Sequence, residues 1–311
     1  VEETREAILI ALRHLVQHSG VDGFRFDLAT VLGREEHGFQ PHAATLSAIM
    51  EDTILSDRIL IAEPWDIGDN GYRQGRFPDR FLEWNDRYRD AVRRFWGGDA
   101  HMAPEFATRI SGSSDIFSGE RSRSVSYVAS HDGFTLTDVV SYSARHNATN
   151  GEHNRDGHGE NFSWNNGAEG PTADPEVNAA RRADLQAMLA TLFLTRGTIQ
   201  LTAGDEFGRT QRGNNNAYAQ DNEITWIDWD GRDRDLEAFV FRMAELRSSL
   251  DVFGDASFYT GVAGDDGIPD ADWRRIDGEP MTSRQWHDPG LDREGVVSGK
   301  RVDLGGRRII K

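Results

Sequence analysis

Three short apolar stretches in this chain end on a carboxylate, and the intervals between them restrict the fold more than any other feature. Asp27 follows "GFRF", Glu63 follows "RILIA" and Asp132 follows "YVASH". A strand, its crossover helix and the next parallel strand together take roughly 30 residues or more. Asp27 to Glu63 spans about one such unit and Glu63 to Asp132 about two. In a parallel barrel every strand opens its carboxyl end on the same face, so acids far apart in sequence converge there while the helices pack outside.

The first stretch says more. In a strand over 21–29, Arg25 and Asp27 share one face while Phe24, Phe26 and Leu28 share the other. The pattern predicts a buried ion pair on the polar side of a strand whose apolar side is covered by helices. Taken alone, such a pair is either structural or catalytic. Acids at three strand ends favour catalysis.

Helices and strands alternate along the chain. Thr4 is a candidate cap for a helix with Ile8, Leu12, Leu15 and Val16 on one stripe, and Gly20 is its stop. "HAATLSAIMEDTILSD" reads as a second helix before the strand of "RILIAEPW". "FLEWNDRYRDAVRRFWGG" reads as a short strand at 81–84 running into a helix. "SVSYVASHDG" and "TIQLTAGDEFG" are strands separated by the helix "NAARRADLQAMLATLFLTRG", and residues 235–250 form a further helix with Phe239, Met243, Leu246 and Leu250 on its stripe. Five strands, near residues 25, 60, 83, 128 and 201, alternate with helices, the mark of an α/β protein with parallel βα units.

Composition removes several classes of function. There is no cysteine, so disulfides and thiolate metal sites are excluded. A formal charge of -17 argues against binding nucleic acid, and no apolar run reaches the roughly 18 to 20 residues that span a bilayer. Lysine occurs only at Lys300 and Lys311. The polar loop over 147–174 invites a search for an oxygen-ligated cation, but it lacks EF-hand spacing and reads as a solvated loop on the substrate side. His101, His146, His153 and His158 form no metal-binding pair, and no metal is expected.

Two carboxyl groups facing each other across a sugar suffice for glycoside hydrolysis, one attacking the anomeric carbon and the other protonating the departing oxygen. Arg25 is placed to hold Asp27 ionised as the nucleophile. Glu63 lies between Ala62 and the pair Pro64 and Trp65, a setting expected to be apolar enough to keep a general acid protonated.

"GFRFDLA", "LIAEPW" and "YVASHD" resemble, in order, the second, third and fourth signature regions of the α-amylase superfamily of glycoside hydrolases. Within it, "FDLATVLGRE", "EPWDIG", "HNATNGEHNRDG" and "TAGDEFGRTQRGNNNAYAQDNEITWIDW" are similar to isoamylase-type glycogen debranching enzymes, a likeness covering residues 1 to about 290. The resemblance implies Asp27 as nucleophile, Glu63 as acid/base and Asp132 as the third carboxylate gripping sugar hydroxyls, with Arg25 and His131 assisting. It implies Trp65 as a sugar-stacking platform, with Asn216 and Asp221 in the groove or in the loop's own structure. The implied reaction is hydrolysis of α-1,6 branches in glycogen, amylopectin or limit dextrin with retention, in the cytoplasm and with no organic cofactor. An α-1,4-acting amylase or a glucan transferase would share the three acids, and a non-catalytic glucan-binding fragment would keep the groove without turnover.

The family's first signature region, Asp-x-x-x-Asn-His, occurs nowhere in the sequence. The expectation is therefore the carboxyl-terminal part of a longer protein. Residues 1–250 would supply strands 4 to 8 of a (β/α)8 TIM barrel, and residues 251–311 part of a small C-terminal β-domain. Alone, such a polypeptide is expected to debranch glycogen negligibly.

Overall fold

The computed structural model describes residues 2–265, 267–275 and 277–288. The C-terminal stretch "KRVDLGGRRIIK" and the rest of the β-domain expected beyond 288 lie outside the described residues. The chain forms two compact units, Val1–Asn85 with Asp115–Val125, and Asp86–Ser114 with the chain from Ser126 on.

In the first unit the helix Glu2–Ser19 buries Leu9 and Leu12. Thr4 lies inside it instead of capping it, and Leu15 is exposed, so the buried stripe runs through Leu9 rather than Leu15. The helix stops at Gly20, whose left-handed backbone lets its N–H reach the Val16 carbonyl. Strands Gly23–Phe26, Ile59–Ala62 and Leu82–Asn85 follow, each parallel to the next. Arg25 pairs with Ile61 and Ile61 with Leu82; Phe26 pairs with Ala62 and Ala62 with Glu83. One residue beyond that last row stand Asp27, Glu63 and Trp84. Gly23 is required by close approach, since a Cβ there would meet the Ile59 carbonyl oxygen at 2.3 Å.

Phe24, Phe26, Leu60 and Ala62 pack with Leu46 and Ile49 of the helix Ala44–Glu51 and with Phe77 and Phe81. Alternation along the strands therefore holds as far as Phe26. The first strand is shorter than the 21–29 expected because Leu28 turns into the left-handed region at φ 43°, starting a 3-10 turn over Ala29–Gly33.

Glu83 shares the row of Phe26 and Ala62 and is fully buried. Burial pushes its carboxyl up to about 7, against the pull of the Gly75 N–H at 2.6 Å and of Arg123, whose Nη2 lies 3.2 Å away. The unfolded chain titrates this group near pH 4.3, so the folded state binds its proton more tightly. Its contribution to stability is present below the unfolded pKa and is lost as pH rises to about 7, a change of roughly 4 kcal/mol. Glu83→Gln is expected to flatten the fall of Tm between pH 4.5 and 7.5; an unchanged slope would show that the buried carboxyl is not responsible.

The second unit is mainly helical at its core. Helices Asp86–Gly97 and Ala103–Ile110 stack Phe95 on Phe106 with ring centroids 3.9 Å apart. The helix Pro175–Phe193 begins three residues before Asn178, because Asp174 caps it and Pro175 suits the first turn. In the helix Arg234–Ser248 the deepest residues are Leu236 and Val240, with Phe239 and Met243 at the margin of the core. After the strand Ser124–Ser126 the chain continues through buried Tyr127, Val128 and Ala129, and the Gln200 N–H, just past the strand Thr198–Ile199, donates to the Ser126 carbonyl. Among the described residues no helix is long and apolar enough to cross a membrane.

Candidate active site

Arg25 leaves the first strand on the face opposite Phe24 and Phe26, and its guanidinium meets two acids at once. Nη1 donates to Asp27 Oδ1 at 2.5 Å, and Nη2 lies 3.0 Å from Glu63 Oε1. One planar cation thus joins carboxylates from the ends of two neighbouring parallel strands. The pair is less buried than its strand context suggested, because the strand stops at Phe26 and Asp27 projects with 68% of its side chain exposed. An open carboxylate beside a fixed cation is accessible to a ligand.

Glu63 differs from expectation in the opposite sense. It is buried, but its surroundings are not apolar: Oε2 accepts the Leu28 N–H at 2.5 Å while Oε1 faces Arg25. The donor stands where the chain turns, for Leu28 itself adopts a left-handed conformation at a cost of about 1 to 2 kcal/mol. The main chain is tied in as well, with Glu63 N–H donating to the Phe26 carbonyl and Ala29 N–H to the Glu63 carbonyl.

The loop after Glu63 is held by Asp66, which receives Arg34 Nε and Nη2, each at 2.6 Å, and the Gly68 N–H. These bonds, Arg34 foremost, hold the Asp66 carboxyl below the usual carboxylate range. On this loop Trp65 lies parallel to Tyr72, with planes 7° apart and centroids separated by 6.3 Å. Tyr72 is exposed and in turn hydrogen-bonds Gln74, which donates to the Trp84 carbonyl.

In the second unit His131 Nε2 lies 3.4 Å from Asp132 Oδ2, with about half of each side chain exposed. The Gly133 N–H donates to the Asn215 carbonyl, joining this turn to an amide-rich loop. Asn216 belongs to that loop's own structure: its Nδ2 donates to Asp156 Oδ2, as does that of Asn150. Asp221 accepts the Trp226 indole N–H at 3.0 Å. Asn147 and Asn215 complete the network, which fixes the 147–161 segment without regular strands. Among the described residues no group of three or more His, Asp or Glu side chains gathers to hold a metal.

The sequence reading missed Leu28, Tyr72 and Trp84. Trp84 was reachable in principle, since it stands one residue past the paired row, level with Asp27 and Glu63.

The chain is similar to curated bacterial proteins along almost its whole length. A glycogen operon protein GlgX homolog of Mycobacterium bovis is 45% identical over 99% of this chain and 44% of that protein. A glycogen debranching enzyme of Serratia proteamaculans is 46% identical over 94% of this chain and 44% of that protein. The chain thus spans less than half the length of these relatives. Among solved structures, the fold is shared with a pullulanase from Anoxybacillus complexed with maltotriose, at TM-score 0.59 and 23% identity over 82% of this chain and 34% of that one. It is shared also with type I pullulanase from Bacillus subtilis complexed with maltose, at TM-score 0.61 and 23% identity over 81% of this chain and 34% of that one. No family model matches the chain.

Proposed function

The chain is related to the bacterial glycogen debranching enzymes of the α-amylase superfamily, and from that premise we propose that it carries the chemistry for hydrolysing α-1,6 branch linkages in glycogen, amylopectin or limit dextrin. The observation that carries the reading is the Arg25 guanidinium spanning Asp27 and Glu63 at adjacent strand ends. Asp27, exposed and paired, is the nucleophile that attacks the anomeric carbon. Glu63 gives a proton to the departing oxygen, then takes one from the water that releases the glycosyl-enzyme ester. Two inversions at one carbon leave its configuration unchanged.

Asp132 serves as the third carboxylate, binding sugar hydroxyls with His131 beside it, and Trp65 offers a ring face to a glucose unit. Asn216 and Asp221 shape the groove through the loop they hold together. The parallel strands are assigned to strands 4 to 8 of a (β/α)8 barrel within residues 1–250. A small β-domain is assigned from residue 251 on, supported by the antiparallel bridges Ala263 to Pro269 and Arg274 to Pro280. The cytoplasm is the proposed compartment, in keeping with relatives named for a glycogen operon.

Incubation of the active protein with a branched glucan is expected to release linear chains whose new reducing ends appear first as the α-anomer in proton NMR. Shortening of linear amylose without branch release would favour the α-1,4-acting alternative, and a first-formed β-anomer would exclude the double displacement.

A further inference from the structure

We propose that Trp84 is a positioning residue for this reaction: its indole sets the plane of the Arg25 guanidinium, and through it the placement of Asp27 and Glu63. The inference rests on the functional reading above. The Arg25 Cζ lies 4.0 Å from the centroid of the Trp84 ring, the geometry of a cation stacked on an aromatic face.

The hydrogen bonds around Arg25 do not fix that plane by themselves. Nε is buried with no hydrogen-bond partner, and Nη2 faces Glu63 at 3.0 Å without the alignment of a hydrogen bond. One aligned bond, from Nη1 to Asp27, leaves the fork free to rotate about it. The indole removes that freedom by covering one face. Trp84 is itself immobile: it is 4% exposed, sits in the strand Leu82–Asn85, and its carbonyl accepts Gln74 Nε2 at 3.0 Å. The strand's next residue, Asn85, donates from Nδ2 to Ser124 Oγ at 3.0 Å. Rigidity thus passes from the sheet through the ring to the cation and on to both acids.

The test combines kinetics with a direct reading of the contact. Trp84→Met keeps an apolar side chain but has no ring face; Trp84→Phe keeps a smaller one. With a branched glucan, Trp84→Met is expected to lower kcat about 10- to 100-fold with KM within about twofold, and Trp84→Phe to recover most of the loss. In an Arg25→Lys background, which has no plane to orient, Trp84→Met is expected to cost little more. Proton NMR of the wild-type protein is expected to show the Arg25 guanidinium resonances moved upfield by the ring, an effect lost in Trp84→Met and kept in Trp84→Phe. Additive losses in the double variant, or unshifted Arg25 resonances in the wild type, would overturn the proposal. Shifted resonances without action on branched glucan in a protein extended upstream through an Asp-x-x-x-Asn-His region would instead remove the functional reading, and the positioning role with it.

Discussion

In a complete version of the enzyme, extended through an Asp-x-x-x-Asn-His region, Asp27→Asn is expected to lower turnover of branched glucan by at least about a thousandfold, equivalent to roughly 4 kcal/mol of transition-state stabilisation, while leaving the fold in place. The substitution is nearly isosteric, and Asp27 is exposed with Arg25 as its close partner, so little packing is disturbed. The amide oxygen can still accept from Arg25 Nη1. What disappears is an oxygen able to form the ester with the anomeric carbon. The informative measurement is the pair of quantities together, kcat on glycogen and Tm by calorimetry. A variant that retained more than a few per cent of activity with an unchanged Tm would show that another group attacks, and the assignment of the acids would have to be rebuilt.

For Glu63→Gln the structure leads to a different expectation, because the carboxylate is buried between a backbone donor and a cation. A carboxylate accepts from the Leu28 N–H and faces Arg25 with its other oxygen. An amide has one oxygen, so its NH2 must oppose either the Leu28 N–H or the guanidinium. The unsatisfied contact is expected to cost about 1 to 3 kcal/mol of stability, in addition to the catalytic loss. Turnover of glycogen should fall about a thousandfold or more. The kcat/KM for an α-maltooligosyl fluoride, which reads the glycosylation step alone, should fall far less than the kcat/KM for glycogen, since fluoride departs without a proton. Equal losses on the two substrates would remove the acid role from Glu63 and leave it a structural partner of Arg25 and Leu28.

The two variants separate chemistry from architecture because the acids, though joined to one guanidinium, are held so differently. Asp27 depends on Arg25, whereas Glu63 is built into the strand ends. The neighbouring loop adds a constraint through Arg34 and Asp66, which anchor the segment carrying Trp65 and Tyr72.

Much of this was legible in the residues. The alternation of Phe24 and Phe26 with Arg25 assigned faces correctly because side chains alternate across any strand, whatever lies beside it. The spacing of Asp27 and Glu63 predicted ends of neighbouring parallel strands, and "FLEWND" gave a strand running into a helix, as found over Leu82–Asn85 and Asp86–Gly97. Local rules also misled. Thr4 has the chemistry of a cap but lies inside its helix, and Leu28 broke the alternation that its side chain would have continued.

The sequence by itself determined which face of the first strand Phe24, Arg25 and Phe26 take, and that strands alternate with helices; these follow from periodicity within one segment. Tertiary structure alone decided that Arg25 serves two carboxylates, that the Leu28 N–H donates to Glu63, that Glu83 is buried beside Arg123, and that Trp84 lies against the guanidinium. Each depends on the register between strands about 20 to 60 residues apart in sequence, and register is set by the packing of whole faces, including the contact of Gly23 with Ile59, not by any residue's own neighbours.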